Sequence, residues 1–182
     1  MKKIMEQKVM KGEIDKKFDE ALKQYEEIFP KLSPAEGGCA EATLTGILNI
    51  LGIQDGLINN IMIPLSGGLG GYKSEKGWSG PCGAVVGGCA AVGAILGGKG
   101  REKMSSDLVP VAYMKSAQFA KEFEKEFGSV ICPNLSGYDF SDLNAMMKYV
   151  EDGTWGKKCY KYVLWAIDHI RNLMNEELKT NW

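Results

Sequence analysis

The stretch from Gly80 to Leu96 constrains the fold more than any other part of the chain, because it consists almost wholly of small and apolar residues. Pro81 suits the first position of a helix, where its missing N–H group would have no partner. Small residues at 80, 83, 84, 87, 88 and 91 let other backbones approach closely. The stretch is at the lower limit for a bilayer span, and its glycine content fits packing inside protein better. We therefore predict a buried central helix and no membrane insertion.

The composition is that of a globular protein. The chain has 182 residues, of which 45% are hydrophobic and 25% are charged, so one domain with a substantial core is expected. A formal net charge of -1 gives no electrostatic basis for binding nucleic acid. The first thirty residues contain no apolar signal-peptide core, which leads us to expect a cytoplasmic protein.

Apolar residues recur at helical spacing along the chain, and no segment alternates as a strand would. We predict an all-α fold: a compact single-domain bundle of about six to seven helices, with a glycine-rich loop before the buried central helix. Residues 1–32 form an N-terminal amphipathic helix, and residues 33–182 form a four-cysteine helical domain. The predicted helices span 11–29, 33–51 or 39–51, 55–62, 81–96, 109–127, 142–151 and 157–179, with a short helical turn after Cys132.

Several of these helices have a predicted apolar face. In helix 109–127 it consists of Val111, Met114, Phe119, Phe123 and Phe127. In helix 142–151 the residues that share one face at spacings of three and four are Leu143, Met146, Met147 and Val150.

Glycine is concentrated before and within the central helix. Of the 23 glycines, thirteen lie between residues 67 and 100. The loop at 65–80 lacks the Walker pattern, and no GxGxxG follows a strand there. Glycines let a backbone fold closely against a cofactor with its amides free to donate. We therefore predict that a cofactor contacts Gly67, Gly68 and Gly70 in the loop and Gly83 at the start of the central helix.

Four of the five cysteines fall at or near the predicted start of a different helix: Cys39, Cys82, Cys132 and Cys159. If these helix starts meet, four thiols and a set of unpaired N–H groups gather at one place. Such an environment lowers thiol pKa values and stabilises a thiolate or an anionic metal–sulfur cluster. We predict these four as metal ligands. The alternative is that buried cysteines only pack, as free cysteines often do.

The remaining candidates support less chemistry. Cys89 lies seven residues after Cys82, about 10.5 Å along a helix, which is too far for a disulfide; we interpret it as a core residue. His169 is the only histidine and has no nucleophile beside it. No Cys-x-x-Cys-His is present, so covalent haem attachment is not expected. We assign no catalytic residue.

The cysteines and their surroundings also resemble a known family. The matching segments are Cys39-Ala-Glu-Ala, the loop from Leu65 to Gly71, Cys82-Gly-Ala-Val-Val-Gly87, Phe127-Gly-Ser-Val-Ile-Cys132 with Gly137-Tyr-Asp139, and the late Cys159. Together they resemble the redox-active C_GCAxxG_C_C family, which is defined by four cysteines. That family is similar to the helical part of split-Soret cytochromes c, whose haem motif this chain lacks. The resemblance covers roughly residues 37–175 and implies redox activity.

These observations predict a redox protein with a metal centre at the four cysteines. An iron–sulfur cluster is the preferred centre, because such clusters bind through four thiolates. A zinc ion is the chemical alternative. The expected role is electron transfer or redox sensing with a redox partner that the sequence does not name. A second class is a metal-free thiol/disulfide oxidoreductase with Cys82 as the attacking thiol. A third is a helical interaction module with structural cysteines. The small residues of the central helix also allow a homodimer.

Overall fold

The computed structural model describes residues 2–33, 37–99 and 102–182, with side chains from residue 12 onward. Within these ranges the chain is all α-helical and has no β-strand, as predicted. The nine helices of the described part of the chain are α1 (Lys2–Ile28), α2 (Cys39–Ile50), α3 (Gly56–Met62), α4 (Gly83–Gly97), α5 (Val109–Phe127), α6 (Cys132–Ser136), α7 (Leu143–Glu151), α8 (Tyr160–Leu173) and α9 (Asn175–Asn181).

The helix boundaries refine the prediction at three places. The predicted last helix is interrupted at Met174, which separates α8 from α9. Helix α2 begins at Cys39, with Gly38 as its N-cap; the other predicted start, Pro34 to Glu36, lies outside the described residues. Helix α4 begins at Gly83, because Pro81 before it pairs with Ile131 in an isolated antiparallel bridge.

The predicted buried central helix is α4. Nine of its fifteen residues are buried, and α2 and α5 make its most extensive contacts. Glycines allow the approach of both neighbours. A Cβ atom at Gly87 would lie 2.5 Å from the Ala40 carbonyl oxygen in α2, and one at Gly88 would lie 2.3 Å from the Phe119 ring in α5. Both distances are shorter than any real contact, so α4 packs this closely only because these positions lack side chains.

Helix α8 completes the core, and α1 and α9 cover it. Val163, Ile167 and Ile170 of α8 are fully buried. Helix α1 packs along α8 and buries Phe18 completely. Helix α9 contacts α1 and α4, and the Trp182 indole N–H donates to the Ile95 carbonyl oxygen at 3.2 Å. No helix in the described ranges combines the length and apolar character that crossing a bilayer requires.

Two predicted apolar faces are not wholly buried. Met114 of α5 is exposed rather than buried. On α7, the four residues Leu143, Met146, Met147 and Val150 are all at least 43% exposed, and the buried residue is Tyr149. Helical spacing shows which residues share a face, but it does not show which face the rest of the protein covers. Helix α7 is docked through its tyrosine instead.

Candidate functional site: four cysteines around one cavity

Cys39 is the first residue of α2, and local hydrogen bonds hold that helix start in place. The Glu41 carboxylate accepts a hydrogen bond from the Gly38 N–H at 3.3 Å. The Ala40 N–H donates to the Ser66 hydroxyl at 3.0 Å, which ties the glycine-rich loop to the start of α2. The Cys39 side chain is therefore held against the loop that leads into α4.

Cys82 and Cys132 are brought together by paired backbone. The Cys82 N–H donates to the Val130 carbonyl oxygen at 2.7 Å, and the Cys132 N–H donates to the Gly80 carbonyl oxygen at 3.0 Å. These bonds flank the bridge between Pro81 and Ile131. Cys82 is the N-cap of α4 and Cys132 is the first residue of α6. Two cysteines fifty residues apart in sequence are thus adjacent at neighbouring helix starts.

Cys159 lies elsewhere in its helix than predicted. A π-helical turn, Trp155–Cys159, runs directly into α8, so Cys159 is one turn inside a continuous helical segment rather than at its start. The Trp155 indole N–H donates to the Phe29 carbonyl oxygen at 2.6 Å and anchors this turn to the end of α1. A π turn rotates the side chains that precede α8 relative to a regular helix, and here it accompanies a cysteine that faces the other three.

One cavity connects the site. Its volume is about 300 Å³, on the order of ten water molecules' share of liquid water. Three of the four cysteines line it, and Cys82 contacts it through a hydrogen bond to Cys39. No charged side chain of the described residues lines this cavity. Its other lining residues are Gly37, Gly38, Ser66, Gly67, Phe140, Met146, Tyr149, Val150 and Trp155.

Cys39 and Cys82 form the closest pair. The hydrogen bond from the Cys82 thiol lowers the pKa of Cys39, and backbone N–H groups of Gly83 and Ala40 add to this effect against the cost of burial. The same hydrogen bond to Cys39 raises the pKa of Cys82 well above its ordinary value, and burial raises it further. Of the two thiols, Cys39 is therefore the one that loses its proton more readily. This direction differs from the expectation that the start of α4 favours a thiolate on Cys82, and a role for Cys82 as the attacking thiol stays a prediction.

The other two cysteines keep their protons near neutral pH. Burial, together with the nearby sulfurs of Cys39 and Cys159, raises the pKa of Cys132 to about 12. Burial also raises the pKa of Cys159 to about 11, although a hydrogen bond from the Tyr149 hydroxyl acts in the opposite direction. The repulsion between these groups is itself a sign that the four sulfurs share one low-dielectric region.

The four glycines predicted to contact a cofactor divide into two pairs. Gly67 lines the cavity, and a Cβ at Gly83 would lie 2.3 Å from the Cys39 sulfur. Gly68 and Gly70 instead pack against backbone carbonyl groups within and beside the loop, and the Gly70 N–H donates to the Ser66 carbonyl oxygen at 2.9 Å. That amide is therefore not free to donate to a cofactor. Cofactor contact at Gly67 and Gly83 stays a prediction.

Cys89 and His169, two candidate residues outside the cavity, have structural partners. The Cys89 thiol donates to the Ser116 carbonyl oxygen at 3.7 Å, which joins α4 to α5. His169 pairs with Glu122 and stacks on Trp165. In the described ranges, no three His, Cys, Asp or Glu side chains are arranged so that they could hold one metal ion between them.

Tyr149 is the site residue that sequence reasoning missed. Its hydroxyl forms a hydrogen bond with Cys159, and burial raises its pKa. In the sequence it lies among apolar residues of an amphipathic helix, where a tyrosine has no special meaning. A buried aromatic hydroxyl requires a partner, but only the tertiary structure identifies that partner as a cysteine.

The family model described as "Putative redox-active protein (C_GCAxxG_C_C)" matches residues 38–173, which contain all four cysteines. The chain belongs to the C_GCAxxG_C_C family. A search of curated proteins and a search of solved structures each found no match. The family pattern begins just before Cys39 and ends with α8, so α1 and α9 lie outside it. Membership indicates a redox-active protein, and the cysteine cavity is where the family pattern and the fold coincide.

Proposed function

We propose that this C_GCAxxG_C_C protein is an electron-transfer or redox-sensing protein whose centre is an iron–sulfur cluster held by Cys39, Cys82, Cys132 and Cys159. The observation that carries the proposal is that three thiols from separate parts of the chain line one cavity free of charged side chains, and the fourth, Cys82, lies beside Cys39. Redox activity is the description of the family. Four thiolates in a buried pocket are the usual ligand set of such clusters.

The arrangement supports a cluster more than a single zinc ion. A tetrahedral zinc site needs its sulfurs about 2.3 Å from one atom, whereas no three suitable side chains among those described are arranged around one ion. A cluster of several iron and sulfide atoms is larger, so its cysteine ligands surround a volume instead of meeting at a point. The cavity of about 300 Å³ offers such a volume.

The protein would contribute three things to such a centre. The thiolates of the four cysteines would bind the iron atoms, and the cluster when bound would supply one-electron redox chemistry. Phe140 and Trp155 would keep water away from it. The Gly83 N–H, which acts to lower the pKa of Cys39, would stabilise the negative charge and so favour the reduced state.

Anaerobic purification tests this proposal. Wild-type protein expressed with added iron is expected to be brown, with iron and acid-labile sulfide in equal amounts and an electron paramagnetic resonance signal in one redox state. Serine substitutions at Cys39, Cys82, Cys132 and Cys159, made one at a time, should each lose most of the iron. Cys89→Ser is the matched control, because Cys89 lies on the same helix as Cys82 but bonds to Ser116; its iron content should equal that of wild type. A colourless wild-type protein, or full iron retention in the four variants, contradicts the proposal.

A second candidate function is favoured by the hydrogen bond between Cys39 and Cys82. We propose as the alternative a metal-free thiol/disulfide oxidoreductase in which Cys39, and not Cys82, is the attacking thiol. The Cys39 thiolate attacks one sulfur of a substrate disulfide and forms a mixed disulfide, and the first substrate thiolate leaves. Cys82, after losing its proton to that thiolate, attacks the Cys39 sulfur and releases the second substrate thiolate. The pair ends as a disulfide, and the substrate has gained two electrons.

An experiment on the metal-free protein tests the second candidate. Colourless wild-type protein is incubated with a low-molecular-weight disulfide and then analysed by mass spectrometry for internal disulfides. Formation of a Cys39–Cys82 disulfide, with a mixed disulfide trapped on Cys39 in Cys82→Ser, supports the oxidoreductase. If Cys39 forms no adduct while Cys89 does, the oxidoreductase proposal is wrong.

A further inference from the structure

Tyr149 is placed differently from the rest of α7. Its side chain is 7% exposed, whereas Leu143 and Met147 of the same helix are 65% and 54% exposed. In the described part of the chain, no other helix packs extensively against α7. The tyrosine therefore serves as the main inward contact of a helix that covers the cysteine cavity.

Two neighbouring rings fix the direction in which Tyr149 points. The Tyr138 ring lies 5.5 Å from it at 83°, and the Phe140 ring lies 4.9 Å from it at 81°. Edge-to-face contacts of this kind are favourable, and two of them on one ring restrict its rotation. The phenol is thus oriented by its surroundings before any group occupies the cavity.

The hydroxyl at the end of this ring reaches a cysteine sulfur. Tyr149 and Cys159 both line the cavity, and the hydroxyl lies beside the Cys159 sulfur, where it acts to lower the pKa of that thiol. Among the residues that line the cavity, the other side-chain hydroxyl is that of Ser66, which accepts from the Ala40 N–H. Hydrogen bonds in such an apolar environment are stronger than in water.

We propose that Tyr149 is a positioning residue that raises the reduction potential of the cysteine centre by donating its hydroxyl hydrogen to the Cys159 sulfur. The inference rests on the proposed redox function of the four cysteines. A hydrogen bond to a sulfur ligand draws electron density from it, and this stabilises the more negative, reduced state relative to the oxidised one.

Tyr149→Phe tests the inference by removing only the hydroxyl oxygen. Tyr138→Phe is the matched control, since Tyr138 contacts the same ring but its hydroxyl bonds to Asp152 and Thr154. The midpoint potential is measured by an optical redox titration of the purified protein. We expect Tyr149→Phe to shift the redox equilibrium constant about tenfold towards the oxidised state, which for a one-electron couple is about 59 mV, and Tyr138→Phe to leave it unchanged. Equal potentials in wild type and Tyr149→Phe overturn the inference.

A second measurement tests the contact itself, without any redox couple. In the reduced, metal-free protein, the Tyr149 hydroxyl proton is identified by nuclear magnetic resonance as the signal that Tyr149→Phe lacks. Cys159→Ala should shift this signal or expose it to exchange, and Cys89→Ala should not. If the signal is unchanged in Cys159→Ala, the inference is wrong even when the protein is redox-active. A wild-type protein with no reversible couple overturns the proposed function and, with it, the tuning role of Tyr149.

Discussion

The contact between α2 and α4 and the contact between α5 and α8 differ in the size of the side chains that form them. At the start of α4, glycines bring it close to α2: Gly83 and Gly87 lie directly against the Cys39 sulfur and the α2 backbone. Between α5 and α8 the space is filled by aromatic rings, with Phe119, Phe123 and Phe127 packed against Trp165. The glycine contact positions two sulfurs, whereas the aromatic contact holds no group of the proposed centre. We therefore expect reactivity to depend mainly on the first contact and stability mainly on the second.

The largest change in stability is expected at the aromatic contact. Phe119→Ala removes a fully buried ring and should lower the free energy of unfolding by about 3–5 kcal/mol, because it leaves a cavity. Urea denaturation followed by circular dichroism measures the effect. Tyr113→Ala, an exposed position on the same helix, should change stability by less than about 0.5 kcal/mol. The folded fraction of Phe119→Ala should still alkylate Cys39 before the other three cysteines of the cavity; a changed order would show that the two contacts are not independent.

The glycine contact should respond through its chemistry. In Gly83→Ala, the new methyl group would lie 2.3 Å from the Cys39 sulfur and 2.8 Å from the Ala40 nitrogen, so α2 and α4 must move apart. We expect a loss of about 1–3 kcal/mol in stability from overpacking, together with a loss of the rapid alkylation of Cys39. Rates are measured by mass spectrometry after timed iodoacetamide quenching. Rapid Cys39 alkylation in a folded Gly83→Ala protein would contradict this account of the site.

A smaller effect isolates the hydrogen bond between the two sulfurs. Cys39 has a lowered pKa because the Cys82 thiol donates to it, so its thiolate is present at lower pH than those of Cys132 and Cys159. Cys82→Ala removes the donor and should raise the midpoint of the pH profile for Cys39 alkylation by about one unit, equivalent to about 1.4 kcal/mol. Cys89→Ala should leave that midpoint unchanged. An identical profile in Cys82→Ala would mean that the N–H groups of α2 and α4 alone lower this pKa.

The smallest effect has the opposite sign. Gly93 lies in the same helix as Gly83 and Gly87, but a Cβ atom there would meet nothing within 4 Å. Gly93→Ala should therefore stabilise the protein by about 0.5–1 kcal/mol, because alanine loses less backbone entropy in a helix. Thermal unfolding measures this gain. A destabilised Gly93→Ala would show that close approach extends along the whole of α4 and is not confined to its N-terminal half.

The cysteine site was predictable in part. A local signal for a helix start lies beside each of Cys39, Cys82 and Cys132. In the structure, α2 begins at Cys39, α4 begins directly after Cys82, and α6 begins at Cys132. The position of Cys159 was not predictable in this way, because the preceding π turn is a local irregularity without a sequence signal. The sequence also could not predict which of Cys39 and Cys82 has the lower pKa. Helix dipoles favour a thiolate on Cys82 as much as on Cys39, and only the direction of their hydrogen bond distinguishes them.

The sequence by itself determined the all-α class, the buried glycine-rich helix and the membership of four cysteines in one redox pattern, because these depend on local periodicity and on residue type. The tertiary structure decided which face of α7 is buried, which thiol of the Cys39 and Cys82 pair loses its proton more readily, and that Tyr149 lies beside Cys159. These outcomes depend on contacts between segments that are distant in the chain. An amphipathic pattern does not indicate which segment its apolar face packs against, so such contacts follow only from how the helices pack.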